Sequence, residues 1–206
     1  MLTSGIFVQI MALNEKDVRP MMHRRIPALV VTIALLISLS WTAARELTVQ
    51  YHPATVTKVV DGDTIRVLFP GGSPFHGDEE KIRLLYIDTP EIHDNPHDRA
   101  MVEGRRARLL LKKRLKPGDR VYLVNPEGKL KRGYYGRLLA IVYLQNRETT
   151  IQELMIRSGY SVVWEKYGSP PEPWKGLWQK AEDEAREKER GCWGTAREWM
   201  MKKDKE

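Results

Sequence analysis

Two kinds of hydrophobic pattern divide this chain. From Ile26 to Ala44, 19 residues run without a charge, preceded by His23-Arg24-Arg25. That length is close to the ~20 residues that cross a bilayer as a helix, rather than the shorter run of a buried core helix. The basic flank and the small residues Thr42-Ala43-Ala44 equally suit a cleavable signal peptide. Whether cleaved signal or uncleaved anchor, residues 1–44 read as an address segment with its basic side in the cytoplasm. The remainder is then expected to be periplasmic, secreted, or anchored outside the cytoplasm, touching a membrane only through residues 26–44. Residues 1–20 form a long leader before the basic flank, so Met21 or Met22 is the expected start of a conventional signal.

From about Ala54 the pattern changes to short alternating runs. ATVTKVV and DTIRVLF alternate on either side of Asp61-Gly62, a strong hairpin signal. Lys81 to Ile87 reads as a third strand, broken by Asp88-Thr89-Pro90-Glu91. Residues 98–115 carry a helical period, with Met101, Gly104, Ala107, Leu110, Leu111 and Leu115 on one face, and Pro117-Gly118 stops it. RVYLVN and GRLLAIVYL predict strands four and five, and Thr150 opens a short helix that ends at Gly159. A last helix follows Pro173, with Trp174, Leu177, Trp178, Ala181 and Ala185 on its apolar side. That stripe reads as core packing rather than a base-binding platform. The expectation is an α+β domain over 45–195, a small barrel with about three helices, and a charged, fraying tail over 196–206.

Composition narrows the field. The 206 residues are 42% hydrophobic and 30% charged, which allows a packed core and excludes wholesale disorder. Cys192 is the one thiol, so a disulfide framework, a redox CxxC pair and a zinc ribbon are excluded. No Walker or Rossmann glycine signature occurs. The formal charge is +7, from 34 basic and 27 acidic residues. Residues 1–44 hold four of the basic and two of the acidic ones, so 30 and 25 remain beyond them and the domain itself is basic. A polyanionic partner follows from that balance.

Three segments carry chemistry. Asp61-Gly62 makes a tight turn by itself, but Asp63 just beyond it can aim a carboxylate at a neighbouring strand. Asp88 ends the third strand. Asp-Thr-Pro-Glu also suits a plain helix start, yet two carboxylates from adjacent strands make a sparse oxygen site of the kind Ca²⁺ takes, completed by water. Glu91, three residues on, can reach that pocket through a water as a general base. Arg83 and Arg137 come from different strands and can clamp a phosphate; either alone would read as a surface ion pair.

The segments Val60-Asp61-Gly62-Asp63-Thr64, Arg83 to Glu91 and Tyr135-Gly136-Arg137, with a Gly-Cys-Trp near residue 192, resemble the staphylococcal nuclease (thermonuclease) family in order and spacing across about 54–195. That resemblance implies a five-stranded OB-type β-barrel with helices. It implies calcium held by Asp63, Asp88 and the Thr89 carbonyl, with Arg83, Glu91 and Arg137 as the catalytic groups. It implies cleavage of DNA and RNA with little sequence preference, leaving 3′-phosphate ends; separately, a monomer is expected. Tyr135 and Tyr167 are the expected substrate contacts. The chain departs from the pattern twice. Where the family has an Asp before Tyr-Gly-Arg, this chain reads Lys131-Arg132-Gly133-Tyr134-Tyr135, which removes a loop acceptor. The family's stacking tyrosine pair aligns with Glu165 and Tyr167, leaving one aromatic, with Trp164 or Tyr134 nearby as substitutes. The rival reading is a non-catalytic nucleic-acid-binding barrel; a pure binder would not need all five polar groups.

The remaining candidates are structural. His93 and His97 are separated by Asn95-Pro96, which denies them a shared helical face for zinc. The basic runs at 105–108 and 112–114 read as a solvated helix face with some phosphate affinity. Cys192 reads as a small buried hydrophobe.

Overall fold

In the chain's alternating segments, every second side chain is driven out of water, and in the computed structural model these rows face one another inside a closed barrel. The structure describes residues 49–71, 73, 75, 77, 79–92, 99–166 and 168–205. Residues 1–44, expected to be an address segment, and His93, His97 and Tyr167 lie outside the described residues. Among the described residues no helix is long and apolar enough to cross a membrane.

Strands β1 (His52–Val59), β2 (Thr64–Leu68) and β3 (Glu79–Leu84) form an antiparallel meander. β5 (Arg120–Val124) pairs with β1 on one side and β7 (Leu138–Tyr143) on the other. A parallel pairing of β3 with β7, Leu84 opposite Ala140, closes the ring in the order β3-β2-β1-β5-β7. This is the expected five-stranded barrel, and closure removes the free edges an open sheet would expose. Val56, Ile65, Val67, Ile82, Leu84, Leu123 and Ile141 fill it, each 1% exposed or less. A short β6 (Lys131–Arg132) folds back on β7.

The third strand ends earlier than its composition suggests. β-branched and aromatic residues continue to Ile87, yet the chain leaves the barrel at Leu85-Tyr86, where Tyr86 takes a φ of 61°. Ile87–Asp88 become a separate β4, paired with β8 (Val162–Val163). A left-handed tyrosine is unfavourable locally. Trp164 N–H donating to Tyr86 C=O at 2.9 Å and Leu85 N–H to Ala140 C=O at 3.0 Å hold it in place.

Helix α1 (Arg99–Arg114) buries Ala107, Leu111 and the following Leu115 on the barrel and keeps Arg105, Arg106 and residues 112–114 in solvent. Thr150 caps α2 (Ile151–Arg157) by accepting from the Glu153 N–H. In α3 (Trp174–Glu187) the tryptophans are core, as expected. Trp174 Nε1 donates to Tyr143 Oη at 2.8 Å and Trp178 Nε1 to Thr150 Oγ1 at 3.2 Å. Leu177, expected on that face, is 50% exposed, while Glu182 is fully buried. The helix rotates so that Glu182 accepts from the Val163 N–H, joining α3 to β8.

The C-terminal residues are not a fraying tail. After α4 (Cys192–Thr195) comes α5 (Arg197–Lys203), whose Met200 is completely buried. It belongs to a second apolar cluster with Val162, Ala185, Cys192 and Trp193. Three adjacent apolar side chains, Trp199 to Met201, leave no visible helical period, but the second cluster supplies the surface that buries Met200.

Candidate active site

The turn after β1 and the kink after β3 meet at one end of the barrel. Gly62 lies so close to Thr89 that a Cβ there would stand 2.7 Å from Thr89 Oγ1, so only glycine lets the turn approach. Asp63 is thereby carried against Thr89, whose hydroxyl donates to Asp63 Oδ2 at 3.2 Å. Asp88, on β4, is fixed from behind by Ser161 Oγ donating to its carbonyl at 2.8 Å. Asp63 and Asp88 are both buried.

Arg83 ties the two together. Its Nη1 donates to the carbonyls of Leu84 and Ile87 at 2.6 and 2.8 Å, bracing the kink. Its Nη2 lies 3.3 Å from Asp63 Oδ2 and 3.1 Å from Asp88 Oδ1. Burial, and then the charge of Asp63, push the Asp88 carboxyl above its usual range, with Arg83 and Lys203 opposing. Asp61, whose Oδ1 accepts from the Asp63 N–H at 3.2 Å, is likewise raised to about 6, by burial first and Asp63 second. Two desolvated carboxylates on one wall of the site offer the oxygen donors that a hard cation prefers. The donor set therefore fits such a cation, with Asp63, Asp88 and the Thr89 backbone as its holders. Among the described residues no group of three or more His, Cys, Asp or Glu is gathered as a denser metal site.

Both carboxylates open into a cleft of about 840 Å³. Glu91 and Arg137 line it, together with Tyr135. Glu91 is exposed, and the backbone that carries it is packed beneath α1. A Cβ on Gly104 would come within 2.4 Å of the Glu91 carbonyl and 2.5 Å of the Pro90 carbonyl. Arg137 directly precedes β7, with Nη1 3.5 Å from Thr64 Oγ1 and its guanidinium 5.7 Å from the Tyr135 ring. The loop that lacks the family's aspartate is held differently. Arg132 makes two hydrogen bonds to the Glu80 carboxylate at 2.9 and 2.6 Å and one to the Gly136 carbonyl at 2.8 Å. Seven of the eight expected site residues thus surround one cleft, and Tyr167 lies outside the described residues.

The same cleft is lined by residues the sequence did not single out as site residues: Asp61, Lys166, Trp199 and Lys203. Trp164 and Tyr134, noted as possible substitutes for the missing aromatic, line it too. Asp61 was read as a turn residue, which it also is. The spacing of Trp199 and Lys203, one helical turn apart, was the available signal, hidden in a stretch read as a tail. Cys192 is buried and its thiol is pushed up to about 12 by burial and Glu103, so it is no nucleophile.

Residues 81–195 match the family described as staphylococcal nuclease homologue. The chain is 32% identical to the protein MJ1439 of Methanocaldococcus jannaschii, over 56% of this chain and 60% of that one. It is 31% identical to the SPbeta prophage-derived endonuclease YokF of Bacillus subtilis, over 68% of this chain and 43% of the relative. It is 31% identical to a thermonuclease of Staphylococcus intermedius, over 67% of this chain and 74% of that enzyme. The chain thus spans less than two thirds of the length of the first two. With the barrel, the helices and the matched span in agreement, the chain belongs to the staphylococcal nuclease homologue family.

Proposed function

We propose that this chain is an exported, calcium-dependent nuclease that hydrolyses phosphodiester bonds of DNA and RNA. The observation that carries this reading is the convergence of Asp63, Asp88, Arg83, Glu91 and Arg137 on one cleft from separate segments. A barrel that only bound nucleic acid would gain nothing from burying two acids where phosphate must arrive. Relatives named endonuclease and thermonuclease support it.

Asp63, Asp88 and the Thr89 carbonyl would hold the calcium, which supplies charge to neutralise a phosphate oxygen. Glu91 takes a proton from water onto its carboxylate, and the water oxygen forms the new bond to phosphorus. The bond from phosphorus to the 5′ oxygen breaks, leaving a 3′-phosphate, and the departing 5′ oxygen takes a proton from solvent water to become a hydroxyl. Arg83 and Arg137 donate to the phosphoryl oxygens as their charge grows. Two carbonyl partners hold Nη1 of Arg83 in place, so Nη2 is the group that would meet phosphate once a cation takes up Asp63 and Asp88. Export rests on the uncharged run Ile26–Ala44 behind its basic flank.

The test is incubation of the full chain with single- and double-stranded DNA and with RNA, in calcium or in chelator, followed by end-group analysis. Cleavage in calcium alone, with 3′-phosphate ends, is the expected result. Full activity in chelator would remove calcium from the reading, and no cleavage of any substrate would leave only a binding module.

A further inference from the structure

Helix α5 follows the residues that match the family, and it brings two side chains to the cleft for which the reaction above has no use. Its seat is specific. Met200 is fully buried, Arg186 Nη2 pairs with Asp204 Oδ2 at 2.8 Å, and Arg197 pairs with Glu189 at 3.3 Å. Trp199 and Lys203 are four residues apart, so they share a face, and both line the cleft with the buried carboxylates.

Lys203 Nζ lies 3.2 Å from Asp88 Oδ2 and 5.7 Å from the centre of the Trp164 ring. Arg83 and Lys166 approach the same ring at 5.9 and 5.7 Å. Aromatic surface interleaved with cations is the chemistry that holds a nucleic-acid strand: bases stack on the rings and phosphates meet the charges. The two cations beside Asp88 differ in freedom. Arg83 is locked to two backbone carbonyls, whereas Lys203 ends a flexible stem on the last turn of a terminal helix. A cation taken up by the carboxylates would displace the ammonium of Lys203, which can then turn toward an arriving phosphate.

We infer that α5 forms a nucleotide subsite of this enzyme, in which a base stacks on Trp199 beside Trp164 and Lys203 pairs with a backbone phosphate. This rests on the nuclease reading and adds a third wall to its cleft. It also offsets the loss of one tyrosine at Glu165.

The test is binding of a fluorescein-labelled single-stranded oligodeoxynucleotide with phosphorothioate linkages to the full chain in calcium, followed by anisotropy over a series of salt concentrations. Trp199→Ala should weaken binding about 5- to 150-fold without altering the salt dependence. Trp199→Phe should restore most of the affinity. Lys203→Met should also weaken binding, and its plot of log affinity against log salt should be shallower by about 0.7. Lys202→Met, on the exposed side of the same helix, should keep the parent affinity. Parent affinity and parent salt slope in both Trp199→Ala and Lys203→Met would overturn the subsite. If the unaltered chain still cleaves nucleic acid, only the subsite falls; if it neither holds nor cleaves any strand, the nuclease reading falls with it.

Discussion

Lys203 Nζ stands 3.2 Å from Asp88 Oδ2, so the last helix places an ammonium on one of the two carboxylates best suited to hold a metal. With Arg83 on the other oxygen, the two acids are already balanced by two cations. A divalent ion must therefore compete with Lys203. Lys203→Met should bind calcium about 3- to 10-fold more tightly than the parent, the scale of a partly exposed ion pair. Calorimetric titration of the full chain reads this directly. Weaker calcium binding in the variant would show that Lys203 supports the cation instead.

The two carboxylates should be indispensable and unequal to Glu91 in kind. Asp63→Ala and Asp88→Ala each remove a charged ligand from a sparse site. Both should abolish calcium-dependent cleavage while circular dichroism remains that of the folded parent. A variant that cleaves normally would exclude that residue from the metal site.

Glu91→Gln preserves size and hydrogen bonding and removes the proton acceptor. Turnover should fall by about 10²–10⁴-fold, with strand affinity unchanged or slightly higher. Arg137→Ala should instead lose both turnover and affinity, as expected of a group that would meet phosphate in the ground state as well. Single-turnover kinetics with a titrated substrate separate the two. Parent-rate cleavage by Glu91→Gln would place the base elsewhere.

Gly104→Ala tests whether helix packing positions Glu91. The added methyl would meet the backbone carbonyls of Pro90 and Glu91, which cannot rotate away. A shift of α1 or of the Glu91 backbone must follow, at a cost of about 1–3 kcal/mol. Activity should fall by more than the folded population does, measured by urea unfolding alongside kcat. Unchanged turnover in a destabilised protein would show that Glu91 tolerates displacement.

Glu182 carries a pH dependence of stability. Burial raises its carboxyl to about 7, with the charge of Asp204 adding to the effect. Because the folded value lies above the unfolded one, its contribution is full below about pH 4.5 and is lost as pH rises through 7. Glu182→Gln keeps the acceptor for the Val163 N–H and cannot ionise. It should be more stable than the parent at pH 8, by up to about 3 kcal/mol, and no more stable at pH 4. Urea unfolding at the two pH values checks the sign, and equal stability at both would mean that Glu182 is solvated when charged.

What the sequence determined by itself was whatever local chemistry decides. The Asp61-Gly62 turn, the Thr150 cap, the Pro117-Gly118 stop and the alternating runs each depend on neighbours within a few residues. They were sufficient to read the barrel and its principal helices. The motif order brought out the five polar groups of the cleft, since each motif joins a backbone break to the residue it aims. Tertiary structure alone decided the rest, because the competing terms lie far apart in the chain. The strand ending at Leu84 rather than Ile87 depends on a left-handed Tyr86, held by Trp164 and braced by Arg83. Glu182 displaced Leu177 from the core because a strand N–H some twenty residues away needed an acceptor. The last helix looked like a polar tail because its one buried side chain, Met200, sits in a short charged stretch whose main apolar partners lie far off in sequence. Its cluster is assembled from Val162, Ala185 and Cys192, and that distant contact is what carries Trp199 and Lys203 to the site.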